Sequence, residues 1–587
     1  MHPKGSPDKW EVKEEDDVEV EGKLVNPDYG FSLNNKRQFF VEVKRPSINI
    51  ESGISPAYQL RRYGWSSNLY VSILTDFEEF SVYFCRSRPF KDDKATKARL
   101  YYFRYDQYDE KWDQIASKFS REAVLGGSLE KIVENIPKTK GDVPVNAALL
   151  DDISKWRDKL AKNIALRNVN ISQQDLNFAV QRIIDRILFL RICEDRAIEE
   201  DGRLRSLAEG KDIHLGLVEL FKEADQRYNS GIFYFNEEKG RKEEPDRITP
   251  SLIIDNQVLK GIIDDLYYPN SPYVFSKIPA EILGQVYEQF LGKVICLDEQ
   301  HHAEVEEKPE VRKAGGVYYT PSYIVDYIVK NTIGKLLEGK TPADAEDLRI
   351  LDPACGSGSF LIGAYQYLLD WHKEWYISNL VPVLEKAKSP TDPGVLKLLP
   401  ESLEKPNKAK SRRIWARAAE AMIPIEKENN EGWRLTTSER KRILLNNIYG
   451  VDIDFQAVEV TKLSLLLKVL EGETKETISN LQRFFKERAL PDLGENIKCG
   501  NSLIGYDYYD NNLNIREEEA KRINAFDWMS GFPEVFDMGG FDAVIGNPPY
   551  IQLSMAEYYD QNANYYFSRK YSSSMGRLNT FGLFIER

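Results

Sequence analysis

Histidine and cysteine are both scarce, five of each in 587 residues. The cysteines (Cys85, Cys193, Cys296, Cys355, Cys499) are scattered and odd in number, which argues against a disulfide framework and fits reduced thiols in a cytoplasm. Only His301 and His302 are adjacent, which argues against a zinc site or a nuclease built on clustered histidines. Long apolar runs are missing as well. The stretch Leu463 to Leu470 is short and broken by Lys468, so it cannot span a bilayer. The opening MHPKGSPDKW has no apolar segment of the secretory kind. Positive charge is not in excess: 80 Lys+Arg against 93 Asp+Glu give a formal net charge of −13. Any surface that binds nucleic acid must therefore be local.

What is present is core-forming material, 42% hydrophobic and 12% aromatic residues, enough for about four domains of ordinary size. No internal repeat is evident. Texture divides the chain into three. Residues 1–127 carry short β-branched and aromatic runs such as Phe39 to Val43 and Leu69 to Leu74, which predict a sheet with a helix or two. Residues 128–310 are mostly helical by period, as in Phe178 to Ile192 and Pro279 to Val294. The polar stretch Asn236 to Arg247 between them reads as a solvated loop. Residues 311–587 alternate strand-like and helical segments, the texture of a doubly wound α/β domain, interrupted by a Pro/Lys/Glu-rich insertion at 383–432. The fold class expected is thus α/β multidomain.

Three strand ends in the last region carry chemistry. LRILDPACGSGSFLIG, Leu348 to Gly363, reads as a buried strand ending in Asp352, a small-residue turn and an apolar helix. Gly356 and Gly358 let the backbone approach a ligand at the carboxyl end of a strand, where open α/β sheets bind cofactors. A second strand ends in Tyr449-Gly450-Val451-Asp452-Ile453-Asp454. Asp452 can accept both hydroxyls of a ribose, while Asp454 suits a helix cap. A third strand, Phe541 to Ile545, leads into Asn547-Pro548-Pro549-Tyr550. A weakly nucleophilic exocyclic amine needs acceptors for its hydrogens, and the Asn547 side-chain oxygen and the Pro548 carbonyl can serve. Pro548 and Pro549 hold that backbone extended, and Tyr550 offers a flat ring to an extruded base.

DPACGSG, GVDID and NPPY, preceded by Gly316-Val317-Tyr318-Tyr319-Thr320-Pro321, resemble the motif series of gamma-class adenine-N6 DNA methyltransferases that use S-adenosylmethionine. The resemblance implies a Rossmann-like domain with Thr320 and Asp352 beside the donor's methionine part, Asp452 on its ribose and Ile453 against its adenine, and with Pro353, Ala354, Gly356 and Gly358 also in the donor site. Asn501, in Cys499-Gly500-Asn501-Ser502, stands where many members carry an aspartate facing the adenine amino group.

Near the start, Pro27-Asp28 and Glu42-Val43-Lys44 suggest a metal-dependent nuclease. The two-residue period of a strand places Glu42 and Lys44 on one face. If Asn34-Asn35-Lys36 makes a three-residue turn, Leu33 pairs with Arg37 and Asp28 falls opposite Glu42. Two carboxylates so placed suit Mg²⁺, with Lys44 to orient or activate water. Lys36, Arg37, Lys44, Arg45, Arg61 and Arg62 make the surrounding segment locally basic, as a phosphate backbone requires. Gln59 and Tyr63, four apart, share a helix face.

This second set resembles the PD-(D/E)xK nucleases. Together with helices written IDRILFLRICEDR and LGQVYEQFLG, the whole resembles type IIG restriction–modification enzymes, single chains of nuclease, helical connector and adenine methyltransferase. The resemblance implies methylation of adenine N6 in double-stranded DNA and Mg²⁺-dependent cleavage of unmodified DNA. The alternatives are a phage-defence methyltransferase with a non-cutting first domain, a protein glutamine methyltransferase sharing NPPY, and a recognition subunit that only binds DNA. Strands are placed near 348–352, 448–452, 496–499 and 541–546, four where such folds have seven. The last would be central in the family's order, so the chain is expected to be a fragment with an incomplete sheet and no target-recognition domain.

Overall fold

A computed structural model describes residues 10–14, 19–20, 23–24, 26–33, 36–134, 136, 142–228, 231–237, 244–308, 320–400, 423–428, 432–473, 477, 490–510, 515–550, 561–574 and 579–587. It is a mixed α/β, multidomain structure. A six-stranded sheet runs in chain order: β1 (Trp10–Glu14), β2 (Tyr29–Leu33), β3 (Lys36–Val43), β4 (Val71–Thr75), β5 (Glu79–Phe84) and β6 (Arg99–Arg104). Neighbours are antiparallel except β3 and β4, which are parallel and joined by helix α1 (Ile54–Ser66), the crossover that a parallel pair requires.

Alternation along β3 assigns its two faces. Phe40 packs with Leu60 and Tyr63 of α1, so Glu42, two residues on, turns the same way. Phe39 faces Ile73, Val124 and Leu129 on the opposite side. That side is covered by α2 (Tyr108–Phe119), α3 (Arg121–Leu125) and α4 (Ser128–Glu134). The expected boundary between 127 and 128 therefore falls too early, because Leu129 and Ile132 of α4 complete this unit's core.

The hairpin register differs from expectation and still reaches the expected outcome. Leu33 pairs with Lys36 and not with Arg37, and a bulge then leaves Gln38 without an opposite residue. The extra residue restores the frame, so Tyr29 lies opposite Val41 and Asp28 falls beside Glu42. Asn34 and Asn35 lie outside the described residues.

The middle region is helical: α5 (Val145–Arg167), α6 (Gln173–Asp195), α7 (Ile213–Tyr228) and α8 (Ala280–Leu291), followed by the hairpin β7 (Lys293–Leu297) and β8 (Ala303–Glu307). Ser172 caps α6 by accepting the Asp175 N–H. Arg186 of α6 is fully buried, a position that an arginine holds only with partners. Its guanidinium meets Asp246 at 2.8 Å. The stretch Asn236 to Arg247 is therefore not simply a solvated loop, since Asp246 is a core ion-pair partner; residues 238–243 lie outside the described part.

The last region begins with α9 (Ser322–Leu336) and contains β9 (Ile350–Asp352), α10 (Ser359–Trp375), β10 (Ile448–Asp452), α11 (Phe455–Val469), β11 (Ile497–Cys499) and β12 (Ala543–Val544). The four strands are parallel, in the order β11-β10-β9-β12, as placed from the sequence. Among the described residues β12 pairs with β9 alone, and Val544 is 60% exposed. Of the insertion at 383–432, residues 401–422 and 429–431 lie outside the described part, and Ile425–Glu428 pairs with Gly432–Leu435. One hydrophobic cluster runs from α5 and α6 through α8 into α10 and α11, so the middle helices and the parallel sheet share a core. All five cysteines are free. No helix among the described residues is long and apolar enough to cross a membrane.

Candidate functional site

Asp352 and Asp452 end adjacent parallel strands, β9 and β10, with the glycine turn between β9 and α10 lying across them. Asp452 Oδ2 accepts the Gly356 N–H at 2.8 Å and its Oδ1 accepts the Asp454 N–H at 2.9 Å. Asp352 Oδ1 accepts the Ala354 N–H at 3.0 Å. Asp454 accepts the Gln456 N–H and caps α11, the role that its spacing suggested, and it also pairs with Lys308.

Glycine is required at two places in the turn. Gly356 and Gly358 have φ of 53° and 85°, and a Cβ on Gly358 would sit 2.9 Å from the Thr461 side chain. Thr461 in turn donates to the Gly356 carbonyl at 2.8 Å, and Ser502 donates to the Pro353 carbonyl at 2.5 Å. Neither residue carries a signature in the sequence; both lie on elements that the sheet order brings beneath the turn.

The Asn547-to-Tyr550 segment arrives beside these acids. A Cβ at Gly546 would fall 2.5 Å from Asp352 Oδ1. Asn547 Nδ2 donates to Thr320 Oγ1 at 3.2 Å, which joins two motifs 227 residues apart in the chain. Gly316 to Tyr319 lie outside the described residues. The exposed Tyr550 ring stacks on Phe581 at 5.0 Å and 14°, and Thr580 donates to the Pro549 carbonyl. Neither Thr580 nor Phe581 stands in a motif of the sequence.

Electrostatically the cleft is under strain. Burial pushes the Asp352 carboxyl up to about 8, with Asp452 and Glu288 adding to the rise. Burial likewise raises Asp452 to about 6. Asn501 Nδ2 donates to the Ile523 carbonyl at 3.1 Å and its Oδ1 accepts the Leu503 N–H at 3.1 Å. Both ends of the amide thus brace the backbone after β11, each with one bond of the two it can make. Ile453 is half-buried.

The N-terminal set also converges. Asp28 Oδ2 accepts the Val43 N–H at 2.5 Å, Glu42 pairs with Lys44, and Lys44 donates to Gln59 Oε1 at 3.4 Å. Gln59 Nε2 donates to the Tyr63 hydroxyl at 2.8 Å. Glu42 is 2% exposed, and burial lifts its carboxyl to about 7 despite Lys44. Its Oε2 is buried with no hydrogen-bond partner among the described residues.

Two arginines of the expected basic patch turn inward instead. Arg61 is buried and pairs with Asp93 at 2.8 Å. Arg62 donates to the Pro272 and Tyr273 carbonyls at 3.1 and 3.0 Å, tying α1 to the middle region. A cavity of about 230 Å³ between α6 and α11 is lined by Phe178, Arg182, Phe455 and Glu459 among others, and none of Asp28, Glu42, Asp352 and Asp452 lines it.

Comparison with known proteins matches residues 446–587 to the Eco57I restriction-modification methylase family and residues 279–379 to the N-6 DNA Methylase family. The type II restriction enzyme and methyltransferase RM.Eco57I of Escherichia coli is 31% identical over 561 residues, 96% of this chain and 49% of that protein. The chain is a relative of the type II restriction–modification methyltransferases. A second relative, the putative type II restriction enzyme and methyltransferase RM.MjaORFECS2P of Methanocaldococcus jannaschii, is 24% identical over 508 residues, 74% of this chain and 35% of that one. The structure of a DrdV–DNA complex aligns over 98% of this chain and 44% of its own, at 13% identity and a TM-score of 0.34. The chain thus spans about half the length of RM.Eco57I or less of these proteins. The two family matches enclose Thr320, Asp352 to Gly358, Asp452, Asn501 and Asn547 to Tyr550.

Proposed function

We propose that the chain is an adenine-N6 DNA methyltransferase that carries a Mg²⁺-dependent endonuclease on the same polypeptide and acts on double-stranded DNA in restriction–modification. On this reading residues up to 134 are a PD-(D/E)xK-like nuclease, the middle helices a connector, and the region from Thr320 a Rossmann-like methyltransferase. The observation that carries it is the meeting of Asn547 with Thr320 beside the strand-end acids Asp352 and Asp452.

The cleft fits S-adenosylmethionine on two counts. The glycine turn lies at the carboxyl ends of two adjacent parallel strands, where open α/β sheets bind cofactors, and buried carboxylates without ion-pair partners among the described residues suit a cationic ligand. When bound, the donor supplies a methyl group on a positively charged sulfur. Asp452 and Ile453 would hold its nucleoside, and Asp352, Thr320 and the Pro353–Ala354 backbone its amino-acid end. With Nδ2 engaged by Thr320, the Asn547 oxygen is the end left to accept an adenine amine hydrogen, and the Pro548 carbonyl accepts the other. Holding both hydrogens would direct the nitrogen lone pair toward a bound donor's methyl carbon, so the N–C bond would form as the S–C bond breaks. The sulfur would leave as a thioether, and the amine's surplus proton would be released to solvent, with no covalent enzyme intermediate. The free face of Tyr550, opposite Phe581, receives the flipped base.

In the first unit, Glu42 and Asp28 offer hard oxygens to Mg²⁺, and the unpartnered Glu42 Oε2 is the atom that a cation would satisfy. Mg²⁺ supplies charge against the phosphate transition state, and Lys44 orients the attacking water. The test is incubation of the protein with duplex DNA and methyl-labelled donor, followed by nucleoside analysis. Label in N6-methyladenine supports the reading; label on protein, or none, refutes it. Parallel incubation of unmethylated DNA with Mg²⁺ tests cleavage.

A further inference from the structure

The connector reaches into the donor cleft at one point. Helix α8 packs on the glycine turn through Gly284 and, one helical turn later, Glu288. A Cβ at Gly284 would lie 3.8 Å from the Ser357 carbonyl, and one at Gly356 would lie 3.8 and 3.9 Å from the two Glu288 carboxylate oxygens. The Glu288 carboxylate therefore covers the side of Gly356 from which a side chain would project. Its Oε2 accepts from the Ser357 hydroxyl, while Asp452 grips the neighbouring Gly356 N–H from the other side. The rest of α8 faces the other way into the core, through Ile282, Val286 and Phe290. Tyr287 donates to Asp185 at 2.6 Å. Glu288 is the one acid on this helix turned to the turn.

Three carboxylates, Asp352, Asp452 and Glu288, thus act on one another across the turn. The charged groups around them are Asp454 and its ion-pair partner Lys308. None of the three acids has an ion-pair partner of its own among the described residues. Unpaired buried acids of this kind suit a cationic ligand.

Resting on the methyl-donor reading above, we propose that Glu288 is a donor-binding residue contributed by the connector, and that its carboxylate favours the sulfonium-bearing donor over the thioether product. Donor and product share the ammonium and carboxylate of the amino-acid end and the same nucleoside. They differ in the methyl group and the charge on sulfur. If the Glu288 carboxylate faces that sulfur, it discriminates between them in a low-dielectric cleft, whereas a residue that only props the turn weakens both alike.

The test is calorimetric titration of the full chain with S-adenosylmethionine and with S-adenosylhomocysteine, for wild type, Glu288→Gln and Glu288→Asp. Glutamine keeps an acceptor for Ser357 and removes the charge; aspartate keeps the charge. The expected result is a donor-to-product affinity ratio reduced about tenfold in Glu288→Gln, the effect of roughly one pKa unit's worth of charge interaction, and largely retained in Glu288→Asp. Equal loss for both ligands, or an unchanged ratio in Glu288→Gln, overturns the proposal while leaving the donor site standing. Wild-type protein that binds neither ligand overturns the methyl-donor reading itself, and this proposal with it.

Discussion

The two sites set carboxylates at strand ends and treat them in opposite ways. At Asp28 and Glu42 a cation is built in: Lys44 pairs with Glu42 and reaches Gln59, and one oxygen, Glu42 Oε2, is left without a partner. At Asp352, Asp452 and Glu288 the protein supplies no direct counter-ion among the described residues, and burial holds all three carboxyls above their ordinary range. On the proposed reading, the first arrangement takes one small ion beside an existing charge, and a larger cationic ligand completes the second. On the same reading, one chain keeps two cation sites apart without a zinc-like ligand cluster in either among the described residues.

The largest effect that would break the comparison is at Asn547. Asn547→Ala removes one of two acceptors acting on the amine in the transition state, and methylation should fall by about two to three orders of magnitude with donor affinity and DNA cleavage kept. Rate assays on both activities check it. Next, Glu42→Gln should reduce cleavage by on the order of a hundredfold or more, as expected when the oxygen ligands of a catalytic metal are disturbed. Methyl transfer should stay at its wild-type rate. Loss of both activities in either variant would mean that the two sites are one functional unit.

A smaller effect concerns pH. Asp352 holds a proton up to about 8 in the folded protein, whereas an unfolded aspartate releases it near ~4. Between those values the folded state binds more protons, so its stability falls as pH rises across that window. Donor-free protein should lose a few degrees of melting temperature between about pH 6 and 8.5, and Asp352→Asn should flatten the slope. Melting curves across pH with the two proteins decide it. Smallest is Arg62→Ala, which removes a guanidinium from the Pro272 and Tyr273 carbonyls. It should cost roughly 1–3 kcal/mol of stability and leave the salt dependence of DNA binding unchanged.

The strand-end chemistry was legible because it is local. An acid closing an apolar strand and a glycine turn opening a helix are neighbours in sequence, so Asp352 and Asp452 could be named before any contact was known. The four parallel strands followed for the same reason. The hairpin was legible only through compensation: a turn one residue shorter than expected and a bulge at Gln38 cancel, and a bulge leaves no compositional mark. Arg61 and Arg62 were misread because a helix face shows its period but not its partner. Asp93 and the Tyr273 segment, far along the chain, decide that those charges point inward. Glu288 was hidden differently. It sits in a motif that could be matched but not explained until α8 was seen lying on Gly356.

Hydrogen exchange with each ligand in turn tests most directly whether the two acid clusters serve two different cations. S-adenosylmethionine should slow exchange in Asp352–Gly358, Tyr449–Asp454 and around Glu288, and leave Tyr29–Lys44 unaffected. Mg²⁺ should protect Tyr29–Lys44 alone. Protection of the parallel-sheet cleft by Mg²⁺, or none there with the donor, would contradict the account.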